Sequence, residues 1–309
     1  MPAASHFPVL LQRSDYQEEN LTAAIARAAP YLGIDQSLAG RKLLLKPNLI
    51  SVMAQPLACT DGRLLLAVAR WFLDHGARVA LGDSPAFGSA ALVLRRLGIA
   101  GGLKKLGVEI TEFTKPVPVA GGKLAVARQA LECDLLVNLP KVKAHGQMYF
   151  TAATKNFFGL VVGMKKSWLH MTHGQNHEEF ARLLVQLPAL IPNQITIADA
   201  IDTMHVTGPI RGKRLAVGCL AAGLDPVAVD TALLAALELA PESCPLQQMA
   251  LWRGNPAANP ENIIYPFEVP GIFHGSGFIA PSALSPIRFH SLRFVVSTAK
   301  RWAFSLRRR

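Results

Sequence analysis

Cysteine is scarce and scattered: the four residues, Cys59, Cys133, Cys219 and Cys244, form no CxxC pair. That excludes a zinc ribbon and a local iron–sulfur motif. Isolated cysteines of this kind usually serve as small buried apolar side chains. No apolar run reaches the ~18–20 residues that span a bilayer; the longest, Leu215–Leu224, stops at Asp225-Pro226. The N-terminus, Met-Pro-Ala-Ala-Ser-His, lacks the basic-then-apolar pattern of a signal peptide. These absences point to a cytoplasmic protein. Neither GxGxxG nor a P-loop occurs, and His173-Gly-Gln-Asn-His177 lacks the glutamate that a zincin helix needs. Acidic residues are also few, 21 against 32 Lys+Arg, for a net charge of +11. Seven of the basic residues fall in 285–309 with no acid, so the remaining body carries only about +4. Charge confined to a tail disfavours nucleic acid as a partner.

What is present is a globular composition. Half of the 309 residues are hydrophobic and 17% are charged. That is enough chain for one large α/β domain or for two lobes around a cleft. Short apolar runs at Phe7–Gln12, Leu43–Leu49, Ala77–Leu81, Val108–Phe113, Leu135–Asn138, Asn193–Ala198 and Arg214–Ala222 read as strands. Helical spacing intervenes at Glu18–Tyr31, from Thr60 to Gly76, at Glu178–Leu187 and after Asp225-Pro226. Thr60 reads as the N-cap of the second helix, and Asp225 as that of the helix that follows it. Asp230 reads as serving the helix dipole. Strand, polar turn, helix and strand in alternation predict an α/β fold: mostly parallel sheets with flanking helices. The expected organisation is an α/β region over 1–254, an irregular Pro/Gly/Asn-rich segment over 255–284 and a tail over 285–309.

One stretch concentrates chemistry. Residues 139–159 hold Lys141, Lys143, His145, Thr154, Lys155 and Asn156, directly after the Leu135–Asn138 strand. The sequence predicts an open loop there, at the carboxyl end of a strand, where ligands bind in open α/β sheets. Two other strands end in Lys46-Pro-Asn48 and Gly82-Asp-Ser-Pro85. If the three are parallel neighbours, their tips share one edge. Lys46, Asn48, Thr60, Asp83, Ser84, Lys141, Lys143 and Asn156 are then candidates to bind an anionic ligand or cofactor. Lys46 needs a partner at the exit of an apolar strand, and Asp83 is its natural one; the pair could equally be structural. His145, Lys155 and His170 are the candidate acid/base groups. His145, His170 and His173 are candidate ligands of a divalent metal.

The tail differs in character. Phe289, Leu292, Val296, Ala299, Ala303 and Leu306 form one helical stripe, flanked by Arg288, Arg293, Lys300, Arg301 and Arg307 to Arg309. A basic amphipathic helix reads as a site for a membrane surface or a protein partner, at the inner face of a membrane for a cytoplasmic chain. The alternative is a helix docked on the protein's own body.

Lys46-Pro-Asn-Leu49, Thr60, Gly82-Asp-Ser-Pro85, Leu139-Pro-Lys-Val-Lys-Ala-His145, Lys155-Asn-Phe-Phe-Gly159, Asp199-Ala-Ile201, Gly208-Pro-Ile-Arg-Gly212 and Asp225-Pro-Val-Ala-Val-Asp230 occur in order. Together they resemble the domain-of-unknown-function 362 family over roughly residues 40–240. Many members of that family carry a ferredoxin-like module with cysteines for a [4Fe–4S] cluster. This chain lacks those cysteines, so no such cluster is expected. The family is also distantly similar to lactate racemase-like proteins, which bind a nickel-pincer nucleotide between two α/β lobes. In that group a histidine and a lysine ten residues later lie in the active site, the spacing of His145 and Lys155. The resemblance implies a metal- or cofactor-dependent enzyme on a small anionic substrate, racemase/epimerase-like or oxidoreductase-like. The alternative is a non-catalytic accessory of a redox system that docks through its tail.

Overall fold

The computed structural model describes residues 6–35, 37–113, 115–119, 124–162, 169 and 174–285. The chain opens with strand β1 (Phe7–Arg13) and helix α1 (Glu18–Ala28), which buries Leu21, Ala24, Ile25 and Ala28. Strand β2 (Lys42–Pro47) leads to α2 (Gly62–Asp74). That helix buries Leu64, Leu65, Val68, Trp71 and Phe72, and Gly76, at φ +84°, ends it in a conformation glycine adopts freely. Its N-cap is Asp61, whose carboxylate accepts from Arg63 N–H, and not Thr60. Thr60 Oγ1 is engaged instead between strands: it donates to Leu139 O at 2.6 Å and accepts from Asn48 N at 2.8 Å.

Strand β3 (Arg78–Asp83), helices α3 (Ala90–Arg96) and α4 (Ala100–Lys105), and strand β4 (Glu109–Glu112) follow. An antiparallel hairpin, β5 (Pro116–Val119) with β6 (Leu124–Ala127), stands apart from the main sheet. After α5 (Arg128–Glu132) come β7 (Leu135–Leu139), β8 (Lys141–His145), β9 (Tyr149–Thr151) and the single turn α6 (Ala153–Asn156). Helix α7 (His177–Leu184), the long strands β10 (Gln194–His205) and β11 (Lys213–Gly223), and helices α8 (Pro226–Ala236) and α9 (Pro245–Trp252) complete the body. Strand β12 (Ile263–Ile264), from the Pro/Gly/Asn-rich segment, adds to the edge beside β1.

These strands form a ten-stranded sheet in the order β12-β1-β11-β10-β7-β2-β3-β4, with β8 beside β10 and β9 beside β8. The run from β10 through β7, β2 and β3 to β4 is parallel, whereas β11 is antiparallel to both β10 and β1. The fold is therefore α/β with a mostly parallel sheet and flanking helices. Side chains alternate across it: Leu43, Leu45, Leu135 and Val137 pack with α1 to α4, while Leu44 and Leu136 face Phe150, Phe157, Phe180 and α8. Among the described residues no helix is long and apolar enough to cross a membrane.

The open loop expected over 139–159 is overturned. Strands β7 and β8 lie end to end along β10: β7 pairs with Gln194–Thr196, and β8 meets Asp199 and Met204 further on. Pro140, which has no N–H for the ladder, sits at the join, and its carbonyl accepts from Asp199 N. The chain then turns back as β9 and enters α6. Val142 and Ala144 alternate with Lys141, Lys143 and His145, the period of a strand, and all five residues are buried. The tail helix over 285–309, the Gly121-Gly122 turn, His170 and His173 fall outside the described residues, Ser285 excepted.

Candidate functional site

The exits of β2 and β3 meet β8 and α6 at the carboxyl edge of the parallel strands. They enclose a cavity of about 100 Å³. Its lining includes nine residues singled out in the sequence: Lys46, Asn48, Asp83, Ser84, Lys141, Lys143, His145, Lys155 and Asn156. Thr60 lies behind this wall in its bonds to Asn48 and Leu139.

The four lysines divide into two kinds. Lys46 is fully buried, and its ammonium donates to Asp83 Oδ1 at 2.9 Å, Pro47 O at 2.7 Å and Asn156 Oδ1 at 3.1 Å. All three of its N–H bonds are thus used. Asp83 is equally occupied, since it also accepts from Leu49 N and Ser84 N. Burial nonetheless lowers the pKa of Lys46, with Asp83 opposing that shift. Lys141 donates to Asp199 Oδ2 at 2.8 Å and to Tyr16 Oη at 2.9 Å. Tyr16 Oη donates to Asp199 Oδ1 at 2.7 Å and accepts from Asp202 N, so this cluster is closed on itself. Burial, then Asp199, raises the Tyr16 pKa and keeps the phenol neutral. These two lysines tie strands together, and each already faces a carboxylate, Asp83 or Asp199.

Lys143 and Lys155 differ. Lys143 is 2% exposed and donates to Asn48 Oδ1 at 2.7 Å and Ala58 O at 2.5 Å, which leaves one N–H and no carboxylate among the described residues. Burial, together with Lys155 and Lys141, brings its pKa down to about 7, against the opposing pull of Cys59 and Asp83. Lys155 makes no hydrogen bond or ion pair with any described residue. Burial and the neighbouring Lys46 charge bring it down to about 8.

Asparagines set the framework. Asn156 Oδ1 accepts from Lys46 and Asn48, while its amide donates to Asn138 Oδ1 and Lys46 O. Asn138 in turn donates to Ala153 O and Thr196 Oγ1. The turn that carries Lys155 is held by Asp230 on α8. Its buried carboxylate accepts from Ala153 N at 2.6 Å and Thr154 N at 3.0 Å. Asp230 therefore grips α6 rather than serving its own helix dipole. Burial raises its pKa to about 6 against those bonds. Gly159 closes the floor: a Cβ there would stand 2.1 Å from Asp83 Oδ1 and 2.5 Å from Lys46 Nζ.

His145 Nδ1 accepts from Gln147 N at 3.1 Å and Met148 N at 3.2 Å. In the neutral ring the proton therefore sits on Nε2. A metal-bound histidine normally donates through its other ring nitrogen, so this geometry suits a hydrogen-bond donor and not a metal ligand. Among the described residues no cluster of three His, Cys, Asp or Glu side chains could hold a metal ion. The cavity is also well below the ~300–1,000 Å³ of sites for larger cofactors. The residues described here do not fit a nickel-pincer nucleotide or a divalent metal.

Local sequence gave no sign of several members. Tyr16 joins Asp199 across 183 positions, and Asp230 reaches Ala153 across 77. Such pairings carry no short-range pattern.

An open α/β sheet with a cationic, asparagine-braced cavity at its strand exits thus defines the class of protein. The family model described as "Domain of unknown function (DUF362)" matches residues 43–235, more than half of the chain, and the chain belongs to that family. A thylakoid-associated protein of Synechocystis sp. is 32% identical over 305 residues, 94% of this chain and 92% of that protein. A crystal structure from Thermotoga maritima matches at 12% identity and a TM-score of 0.43, over 69% of this chain and 56% of that one. That likeness is too slight to argue from.

Proposed function

We propose that the protein binds a small anion in the cavity and acts on it by acid/base chemistry at a carbon beside a carboxylate. The observation that carries this reading is the pair Lys143 and Lys155, two amines in one cavity without a carboxylate partner among the described residues. A cation left unpaired away from water is costly, and an anionic ligand removes that cost. The volume of about 100 Å³ is roughly three water volumes, which suits a carboxylate or phosphate of a few heavy atoms. Lys155, with its pKa near 8, takes or gives a proton close to neutral pH. Racemase-, epimerase- and oxidoreductase-like reactions all begin at such a carbon.

The test is isotope exchange. Purified protein is incubated in D₂O with a panel of small 2-hydroxy and 2-oxo acids, and deuterium at C2 of the hydroxy acids or at C3 of the oxo acids is read by NMR. Exchange that disappears in Lys155→Met supports the reading. No exchange with any member, together with no rise in melting temperature, sinks it.

A second reading concerns location. The relative from Synechocystis sp. is named as thylakoid-associated, and residues 285–309 hold seven basic residues and no acid. Both favour attachment of the chain to an anionic membrane surface through its tail, as a peripheral protein on the cytoplasmic side. Co-sedimentation with phosphatidylglycerol vesicles, comparing the full chain with one ending at Ala283, decides it; equal behaviour removes the membrane role.

A further inference from the structure

We infer that Lys155 is a covalent nucleophile that forms a Schiff base with a small 2-oxo acid, whose carboxylate is held by Lys143. This rests on the anion-binding reading above and narrows it to one substrate class. Three observations carry it. Lys155 lines the cavity and its amine makes no bond to any described residue, whereas Lys46 and Lys141, which line the same cavity, are each anchored to a carboxylate. It stands next to a second cation that is itself immobile, because Lys46 is locked by three acceptors. The turn that bears it is fixed by Asp230 through two backbone N–H bonds, so its backbone is held in place. A lysine that only balanced charge would gain from a carboxylate partner. A lysine kept apart from one, beside a fixed cation, is arranged to lose its proton and attack a carbonyl.

The division of labour between the two free lysines follows from their bonds. Lys143 has two of its three N–H groups committed and one to offer, the need of a carboxylate oxygen. The neutral Lys155 amine adds its lone pair to the carbonyl carbon of the 2-oxo acid; a C–N bond forms and the C=O π pair moves to oxygen. The carbinolamine then loses that oxygen as water, which carries off the two amine protons, and the nitrogen lone pair closes the C=N bond. The imine, once protonated, withdraws electrons from the adjoining carbon and makes its hydrogens exchangeable. With a pKa near 8 and an ordinary value of 10.5, Lys155 offers on the order of a hundredfold more free amine at pH 8 than an exposed lysine does.

The experiment is reductive trapping. Full-length protein at pH 8 is treated with pyruvate and sodium cyanoborohydride, and the adduct is followed by intact mass and peptide mapping. One adduct per chain is expected, at Lys155, forming at least about tenfold faster than labelling of the exposed Lys104 and Lys105 on α4. Lys155→Met abolishes it with a melting temperature no lower than that of the wild type. Lys143→Met slows it, and acetone, which has no carboxylate, labels more slowly than pyruvate does. Labelling spread evenly over surface lysines, or at another site, overturns the inference. Propionate, which has no carbonyl, separates the two readings. If it raises the melting temperature but pyruvate is not trapped, the Schiff base fails and anion binding stands. If neither occurs, both fail.

Discussion

The cavity uses the same side chain in two opposite ways. On the floor, Lys46 with Asp83 and Lys141 with Asp199 are buried ion pairs, further bonded to Pro47 O and Tyr16 Oη. On the wall, Lys143 and Lys155 have no carboxylate among the described residues. The floor is therefore structural: its charges are consumed in joining β2 to β3 and β8 to β10. The wall is left strained toward the neutral amine, and that is the condition for a ligand or a reaction. A lysine count alone would have treated all four alike.

Breaking the floor should have the largest effect. Asp83→Ala or Asp199→Ala leaves a buried ammonium unpaired and should cost about 3–5 kcal/mol of unfolding free energy in urea titrations. Gly159→Ala pushes a methyl group onto the same Lys46–Asp83 pair. Overpacking of that kind should cost about 1–3 kcal/mol, measured the same way.

On the wall the sign should reverse. Lys143→Met removes a buried charge with no partner and should stabilise the ligand-free protein by on the order of 1 kcal/mol at pH 7. Lys155→Met, at a less buried position, should give less. The pH dependence sharpens the contrast. Both wall lysines have folded pKa values, about 7 and about 8, below the unfolded value near 10.5. Their contribution is therefore complete only above the unfolded value and is lost as pH falls through 8 and then 7. Melting temperature of the ligand-free protein should rise from pH 7 towards pH 10, and the double methionine variant should flatten that rise. Asp230 acts in the other direction. Its folded pKa near 6 exceeds the unfolded value, so protonation favours the folded state and stability falls as pH rises from about 4 through 6. Asp230→Asn should remove that slope, the smallest of these effects.

Much of the fold was legible because its elements follow simple periods. Leu43–Pro47 is an apolar run ended by proline, α2 carries its stripe at Leu64, Val68, Trp71 and Phe72, and Asp225-Pro226 opens α8 with a cap. The strand β8 was misread although its signal was present. Lys-Val-Lys-Ala-His alternates with period two, but three polar side chains suggested solvent, and the second face of this strand lines a cavity instead. Thr60 fits a cap by residue type, yet Asp61 beside it fits as well, and only tertiary contacts decide between them. The gathering of Lys46, Asp83, Lys143 and Lys155 could be proposed from strand exits that end alike. The Lys46–Asp83 pair could be proposed as well, but the pairing of Lys141 could not, because Asp199 lies on β10 and Tyr16 in the loop between β1 and α1.

The most direct test is a calorimetric titration of propionate into the wild-type chain, the Lys143→Met variant and the Lys143→Met/Lys155→Met variant. One site should be seen in the wild type, weakened at least about tenfold by Lys143→Met as a charge-assisted hydrogen bond is lost, and absent in the double variant. Binding of equal strength in all three would contradict the division between paired and free lysines.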